Sequence, residues 1–426
     1  DEEREGIPFV GRAGNLLNGI LANLRKEFGF PARDQLYITN LINERPEPGG
    51  NGIHLYYGKG GLTPLGTDTA RQLEEELSAV DCKVIVALGE TATAALTGRQ
   101  LSVTRWRGSP IELPTTEHIV VPSLHPSYIQ RGNFGDAFLL ACDLRKALGY
   151  TRVPPKQYRT VTIHGADAAA ALLHQAMTVP EVAFDIEAPG NELTCFSLCW
   201  DEEVAYSIVL DRQNRAEIMR KLRRLLEAPD GPLLIMQNGN YDTSLLEFKE
   251  GIRTNLGRIE DTMYLHNVMF PEIEKSLRVL SSIHTDIPYY KDDYETARAT
   301  ANPELLYEYN AKDALATYIV WRKLHESKEF PHFEYTYREL TMSNLPAVQA
   351  MQQAPFRVDH HEWARLRTHA EAEIAPIQAQ LNTVTTPWRE EQRVHFTKEL
   401  DAAKTVLASE DSRLQRLRDA QPTGQK

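Results

Sequence analysis

Val182-Ala183-Phe184-Asp185-Ile186-Glu187 is a short apolar run that closes on two carboxylates. As a strand its side chains alternate between faces, so Asp185 and Glu187 point one way while Phe184 and Ile186 point the other. Two neighbouring carboxylates repel each other and lose solvation unless something positive lies between them. A hard divalent cation, which prefers oxygen ligands, is the simplest such partner. Asp-x-Glu alone is common by chance, so its meaning depends on what else reaches that end of the strand.

Two further acids are placed by local pattern. Residues 232–237 read as a buried strand, and Asn238-x3-Asp242 follows directly, putting Asp242 on the first turn of a helix at the same end of the sheet. Tyr309-Asn310-Ala311-Lys312-Asp313 lies in a helical stretch, 303–324. Positions four apart share a helix face, so Tyr309 and Asp313 point together. Asp185, Glu187, Asp242 and Asp313 would then bind two divalent ions, Mg²⁺ or Mn²⁺, about 3.5–4 Å apart, to serve the attacking and leaving oxygens of phosphodiester hydrolysis. The Tyr309 hydroxyl is expected to orient the attacking water. Around these residues, runs at 193–200 and 203–210 read as antiparallel strands and 214–226 and 241–248 as helices. Such a sequence gives a mixed α/β sheet of the ribonuclease H-like sort.

Asp-x-Glu, Asn-x3-Asp and Tyr-x3-Asp in this order resemble the proofreading 3′–5′ exonucleases with four acidic residues, in their tyrosine variant. Between the second and third motifs stand Asp261-Thr262-Met263-Tyr264-Leu265-His266, then Pro271-Glu272-Ile273-Glu274-Lys275-Ser276-Leu277, then Ile287-Pro288-Tyr289-Tyr290-Lys291-Asp292. That run is similar to the exonuclease domains of family A DNA polymerases, the phage type especially, over residues 159–325. Asn238 stands as a candidate substrate contact. Asp261 reads as a helix cap or a residue behind the metal ligands. Lys291 and the adjacent tyrosines read as a solvated loop, with substrate contact as the alternative.

Residues 1–150 alternate between helix and strand: helix at 13–27, strand at 34–40, helix at 67–80, strand at 83–89, helix at 90–97, strand at 117–122, helix at 136–147. That rhythm implies a parallel sheet with helices on its faces. Ligands of such sheets lie beyond the carboxyl ends of the strands, where Asn40 and His125 fall. Gly6-Ile7-Pro8-Phe9-Val10-Gly11-Arg12-Ala13-Gly14, Tyr37-Ile38-Thr39-Asn40, Ala87-Leu88-Gly89 and His125-Pro126-Ser127 resemble the uracil-DNA glycosylases of the iron–sulfur type. The resemblance implies that Phe9 stacks on a flipped base, Asn40 reads its Watson–Crick edge, and His125 stabilises charge on the departing uracil. The bland reading of His125 is a satisfied loop histidine. The family's Gly-Glu-Ala-Pro-Gly-like first motif is expected just upstream of Asp1. Asn43-Glu44-Arg45-Pro46 and Thr69-Ala70 stand where cluster cysteines belong, so no iron–sulfur cluster is expected and glycosylase activity is in question.

Net charge is −12, which speaks against a nucleic-acid binder that uses its whole surface. An acidic protein still grips phosphates through metals and local basic patches. Residues 219–224, Met-Arg-Lys-Leu-Arg-Arg, are one such patch, or the solvated face of a helix. Only four cysteines occur, too scattered for a disulfide framework, and a reducing cytoplasm is expected, the host's if the gene is phage-borne. Cys195-x3-Cys199 reads as two packed thiols, with a metal pair as the alternative. No run approaches the roughly 18 apolar residues of a membrane span, and no membrane partner is expected.

A proline-bearing linker at 151–157 separates the first domain, 1–150, from the exonuclease domain, 159–325. Residues 331–426 read as helical, with core-like spacing at 337–353 and helices at 361–381 and 388–418 ahead of a frayed end at 421–426. Phe356-Arg357-Val358-Asp359 looks like the place where a family A polymerase domain begins. Palm and finger motifs are not in the sequence, so this part is expected to be the root of a polymerase that does not itself polymerise. The expected function is proofreading on DNA with single-stranded 3′ ends, uracil-containing ones included. The alternatives are a uracil-recognising module that binds without cleaving beside the exonuclease, and an exonuclease directed at RNA.

Overall fold

The computed structural model describes residues 7–42, 52–58, 60–113, 117–354 and 357–385. Gly6, residues 43–46, Phe356, the expected helix at 388–418 and the end at 421–426 lie outside the described residues.

The N-terminal part holds helix α1 (Arg12–Phe28), strands β1 (Tyr57–Gly58) and β2 (Gly61–Leu62), helix α2 (Pro64–Ser78), strand β3 (Val84–Leu88), helices α3 (Glu90–Thr97) and α4 (Val103–Trp106), strands β4 (Ile111–Glu112) and β5 (Ile119–Ser123), and helices α5 (Pro126–Gln130) and α6 (Ala137–Tyr150). Helix α1 buries Leu17, Ile20, Leu21 and Leu24, a helical stripe, and stops at Gly29 in the left-handed region. Helix α2 starts where Pro64 follows Thr63, whose hydroxyl accepts the Gly66 amide at 3.1 Å. Strands β3 and β5 pair in parallel, and β4 joins β5 antiparallel.

The strand expected at 34–40 does not form. Arg33–Gln35 is a 3₁₀ turn, and residues 36–40 belong to no ladder. The alternation is present: Leu36 and Ile38 pack on the core beneath α1 while Tyr37 is exposed. Alternation fixes which side chains face inward, but a strand also needs a neighbour to satisfy its backbone.

The second part is built on a six-stranded sheet: β6 (Arg159–Ile163), β7 (Glu181–Glu187), β8 (Cys195–Cys199), β9 (Val204–Val209), β10 (Leu233–Met236) and β11 (Ile259–Asp261), in the order β11-β10-β7-β8-β9-β6. The β7–β8 and β8–β9 pairs are antiparallel and the others parallel, the mixed sheet expected of a ribonuclease H-like fold. Its helices are α7 (Ala166–Ala176), α8 (Arg215–Glu227), α9 (Gly239–Leu245), α10 (Thr262–Met269), α11 (Leu277–His284), α12 (Asp293–Thr300), α13 (Pro303–His325), α14 (Phe330–Tyr335) and α15 (Leu345–Gln353). One face packs Phe184, Ile186, Phe196, Leu198 and Ile208 against Leu172 and Leu173 of α7 and Leu222 of α8. The other packs Ala183, Cys199 and Ala205 against Ala311, Leu315 and Ile319 of α13. Strand β7 thus sends Phe184 and Ile186 one way and leaves Asp185 and Glu187 on the α13 face.

Helix α8 buries Ile218, Leu222, Leu225 and Leu226 and exposes Arg220 and Arg224, so its basic run is the solvated face. Cys195 and Cys199 are both buried on one strand, about 13 Å apart at strand rise, too far to share an ion. The helix expected at 337–353 is broken by a π-turn at Thr336–Thr341 and a 3₁₀ turn at Met342–Asn344 before α15. There Tyr337 is wholly buried and its hydroxyl accepts the Asp261 amide at 2.7 Å. The described residues up to Gln353 form the first compact unit. The described residues beyond Gln353 belong to a second unit, built on helix α16 (His360–Thr385), whose first amides at His361 and Glu362 are capped by Asp359. Among the described residues no helix is long and apolar enough to cross a membrane.

The two parts of the first unit share a core. Ile273, Val279 and Ile283 of the second part belong to the same apolar cluster as Leu17, Leu140 and Leu144 of the first. Arg107, almost wholly buried, donates to Asp143 (3.0 Å from Nε) and to the Ser282 hydroxyl (2.7 Å), and Ser123 also donates to Asp143 (2.6 Å). Gly108 has φ +71°, and a Cβ there would come within 2.7 Å of both Asp143 Oδ1 and the Ser282 carbonyl, so this crossing admits only glycine. Removing the guanidinium would strand a buried carboxylate. Arg107→Ala is expected to destabilise the unit by about 3–5 kcal/mol in denaturant unfolding. Residues 7–150 and 159–353 should still unfold in a single transition.

Candidate active site

Three elements converge on the α13 face of β7. Asp185 and Glu187 come from the end of β7, Asp242 from the first turn of α9, and Asp313 from the middle of α13. Carboxylate oxygens of Asp185, Glu187 and Asp313 all lie within 4.8 Å of one another. Asp242, buried beside them, is near enough that its charge raises the pKa of both Asp185 and Glu187.

The turn that carries Asp242 is built by Asp261. Its Oδ2 accepts the Gly239 amide at 2.7 Å and its Oδ1 the Asn238 amide at 3.2 Å, while Oδ1 also caps α10 through the Met263 amide at 2.8 Å. Asp261 is therefore a helix cap that ties two turns together. Asn238 stands at φ +60°, ψ +39°, exposed, between β10 and α9.

A polar ladder supports Asp185 from behind. Asp185 pairs in register with Ser197, and Ser197 with Ser207, across β7, β8 and β9. Asn310 of α13 lies across that row: its carbonyl accepts from Ser197 (2.8 Å), its Oδ1 from Ser207 (3.0 Å), and its Nδ2 donates to Asp185 Oδ2 (2.8 Å). Each of these buried polar groups has its partner, which fixes the carboxylate's orientation. Asn310 was not marked by its sequence position. The available signal was two serines at inward positions of otherwise apolar strands, which require a polar partner opposite.

Lys291 departs from the solvated-loop expectation. It is half-buried, with Nζ 2.5 Å from Asp313 Oδ1 and 3.1 Å from Tyr309 Oη. Tyr290 donates its hydroxyl to the same Asp313 oxygen at 2.6 Å. The Tyr309 ring stands between Tyr290 (centroids 5.7 Å) and Tyr294 (5.6 Å). Asp313 and Tyr309, one helical turn apart, share this one set of contacts.

Burial, then the charges of Asp313, Asp242 and Glu187, raise Asp185 well above the carboxylate range, with Lys291 opposing. Burial, then Asp313, pushes Glu187 up to about 8. Burial raises Asp242 to about 7, the charges of Asp261 and Asp313 adding to it and backbone hydrogen bonds opposing. Acids held this way take up either protons or a cation. Oxygen-only donors from three elements, partly desolvated and short of positive charge, fit a hard divalent ion.

In the N-terminal part, Phe9 is buried in the core beneath α1 with φ +58°, and its ring lies 5.5 Å from that of His125 at 31°. Gly14 lets α1 approach it: a Cβ at Gly14 would sit on the Phe9 carbonyl. His125 caps α5, its Nδ1 accepting the Ser127 amide at 3.1 Å, which leaves the ring proton on Nε2 in the neutral form. Asn40 is half-buried in irregular chain. Phe9 and His125 are thus brought together at the carboxyl end of β5, and Asn40 comes from the unpaired segment beyond α1.

Known proteins resemble both parts. Residues 1–146 match the uracil DNA glycosylase superfamily and residues 160–328 the 3′–5′ exonucleases. A type-4 uracil-DNA glycosylase of Thermotoga maritima is 31% identical over 157 residues, covering 36% of this chain and 72% of that protein. One from Sulfurisphaera tokodaii is 30% identical over 137 residues, covering 30% of this chain and 54% of that protein. Solved structures with similarity include Brucella melitensis NrnC with bound Mg²⁺ (16% identity, TM-score 0.35, 48% of this chain and all of that one). Escherichia coli RNase D is another (18%, TM-score 0.36, 47% and 52%). The chain belongs, through its N-terminal third, to the uracil DNA glycosylase superfamily, and it carries a 3′–5′ exonuclease domain, a hydrolase, in the part that follows.

The raised carboxyl groups set a pH dependence. A carboxyl with a raised folded pKa holds its proton more tightly when folded, so its share of stability is full at low pH. That share is lost as pH rises from the ordinary range near 4 through about 7 and 8. In chelator, the melting temperature should fall between pH 5 and 8.5, and Glu187→Gln should make that fall shallower. Added Mg²⁺ should raise the melting temperature more at pH 8 than at pH 5, because cation and proton compete for the same oxygens.

Proposed function

We propose that this chain is the proofreading part of a DNA polymerase of family A: a metal-dependent 3′–5′ exonuclease on single-stranded DNA ends, joined to a uracil-recognising domain. The observation that carries the nuclease reading is the convergence of Asp185, Glu187 and Asp313 within 4.8 Å, with Asp242 beside them. In this reading the four acids hold two divalent ions. When bound, those ions supply Lewis-acid stabilisation of phosphate charge and a more acidic water. The chain's own groups do the rest. Asn310 fixes Asp185, Lys291 and Tyr290 fix Asp313, and the Tyr309 hydroxyl, held at Lys291, orients the attacking water. Exposed Asn238 contacts the terminal nucleotide at the mouth of the site. The division into domains at 1–150, 159–325 and 331–426, the last the root of a polymerase, and a cytoplasmic setting belong to the same reading. Of the alternative substrates, RNA is served by the same carboxylates, and equal rates on matched DNA and RNA strands would favour it.

For the N-terminal domain, Phe9, Asn40 and His125 are the uracil contacts. His125 is oriented by Ser127 with a proton on Nε2, suited to donate toward a uracil oxygen. Recognition of uracil without cleavage is the second reading.

Asp185→Ala should cut Mg²⁺- or Mn²⁺-dependent release of mononucleotides by about a thousandfold or more while leaving the circular dichroism spectrum unchanged. Activity retained in that variant would refute the assignment. A uracil-containing oligonucleotide should bind more tightly than its thymine counterpart, and alkali-labile sites in it report cleavage. His125→Ala should remove any such sites by a factor of about a hundred.

A further inference from the structure

The segment Ile287–Asp292 joins α11 to α12 without regular structure, yet it delivers Tyr290 and Lys291 to Asp313. Irregular chain has no ladder to fix its position, so that position comes from what grips it. Ile287 and Tyr290 are buried in the exonuclease core, and the rest of the grip comes from the N-terminal domain. The Ser109 hydroxyl, buried, accepts the Tyr289 amide at 3.1 Å. The Trp106 ring lies 5.3 Å from that of Tyr289 at 56°. Arg105 Nη1 is 2.9 Å from Asp292 Oδ1. The same turn is itself anchored: Arg107 donates to Ser282 at 2.7 Å, and the carbonyl of Thr104 accepts from Arg278 at 2.9 Å. Tyr289 and Asp292 are therefore held from one domain, and Tyr290 and Lys291, lying between them, face the carboxylates of the other.

We propose that the glycosylase-family domain is a positioning element of the nuclease, in which Trp106, Arg105 and Ser109 act through Tyr289 and Asp292 to set Tyr290 and Lys291 against Asp313. This rests on reading Asp185, Glu187, Asp242 and Asp313 as the nuclease centre. Trp106, Arg105 and Ser109 are positioning residues, and Lys291 is the group they place beside Tyr309 and Asp313. A displacement of about 1 Å in a reacting constellation costs on the order of a hundredfold in rate, so a loosened segment should be felt in turnover more than in binding.

A double-mutant cycle in the full chain tests this, with kcat and KM measured separately for nucleotide release from a single-stranded 3′ end in Mn²⁺. Trp106→Ala is expected to lower kcat about tenfold with KM little changed, and Trp106→Phe to recover most of the loss. Lys291→Ala should lose at least as much as Trp106→Ala, and Trp106→Ala added to Lys291→Ala should cost less than its full factor, since Lys291 carries part of the effect and Tyr290 the rest. Wild-type kcat in Trp106→Ala would overturn the proposal, as would a double variant slower than Lys291→Ala by the full Trp106 factor. If Trp106→Ala does not fold, Arg105→Glu, which reverses an exposed pair, reads the same cycle. It should lose about threefold in the wild-type background and less than that on Lys291→Ala, and no loss in the wild-type background, or the full loss on Lys291→Ala, overturns the proposal. Wild-type protein that releases no nucleotide would defeat the nuclease reading itself, whereas wild-type release untouched by Trp106→Ala defeats only the coupling.

Discussion

Four carboxylates at one end of a sheet are an electrostatic debt that the fold has to settle. Each would rather be in water, and each makes the others harder to ionise. The sheet supplies part of the answer. Ser197, Ser207 and Asn310 form a row of satisfied polar groups behind Asp185, and Asp261 spends its oxygens on the amides that begin α9 and α10. Among the described residues, Lys291 supplies the one ammonium paired with the cluster, on Asp313. One ammonium does not balance four acids, and that shortfall is why the site reads as a cation site rather than as a structural ion-pair network.

The same cluster gives meaning to the way the first unit is assembled. A chain with a proline-bearing linker suggests two bodies joined by a tether. Instead, α11 packs into both cores, with Leu277 and Leu280 in that of the exonuclease part and Val279 and Ile283 in that of the N-terminal part. Arg107, Asp143, Ser123 and Ser282 form a buried polar knot at that crossing, and Gly108 leaves room for it. Burying a charge pair is costly unless every donor and acceptor is met, so such a knot specifies one docking geometry rather than a range. The loop after α11 inherits that geometry and carries it to Asp313.

Much of the site was legible in the sequence because strand and helix periods are strict. Alternation along 182–187 puts Asp185 and Glu187 on one face, and the four-residue spacing puts Tyr309 over Asp313, as the sheet and α13 display. What could not be read was anything that depends on partners distant in the chain. Leu36 to Asn40 alternates like a strand and finds no neighbour to pair with. Lys291 lies in a stretch with no period at all, so nothing local marks it as buried against Asp313. Asn310 looks like any helix residue until two serines from different strands are seen beneath it. The linker at 151–157 marks a change of sheet, yet local composition says nothing about a core shared across it.

The central claim is that the acids of β7, α9 and α13 enclose divalent cations. Diffraction from Mn²⁺-soaked crystals, collected at a wavelength where manganese scatters anomalously, tests it most directly. The account predicts anomalous density bounded by Asp185, Glu187 and Asp313, with a second peak toward Asp242. Crystals saturated with Mn²⁺ that show no density among these oxygens would contradict it.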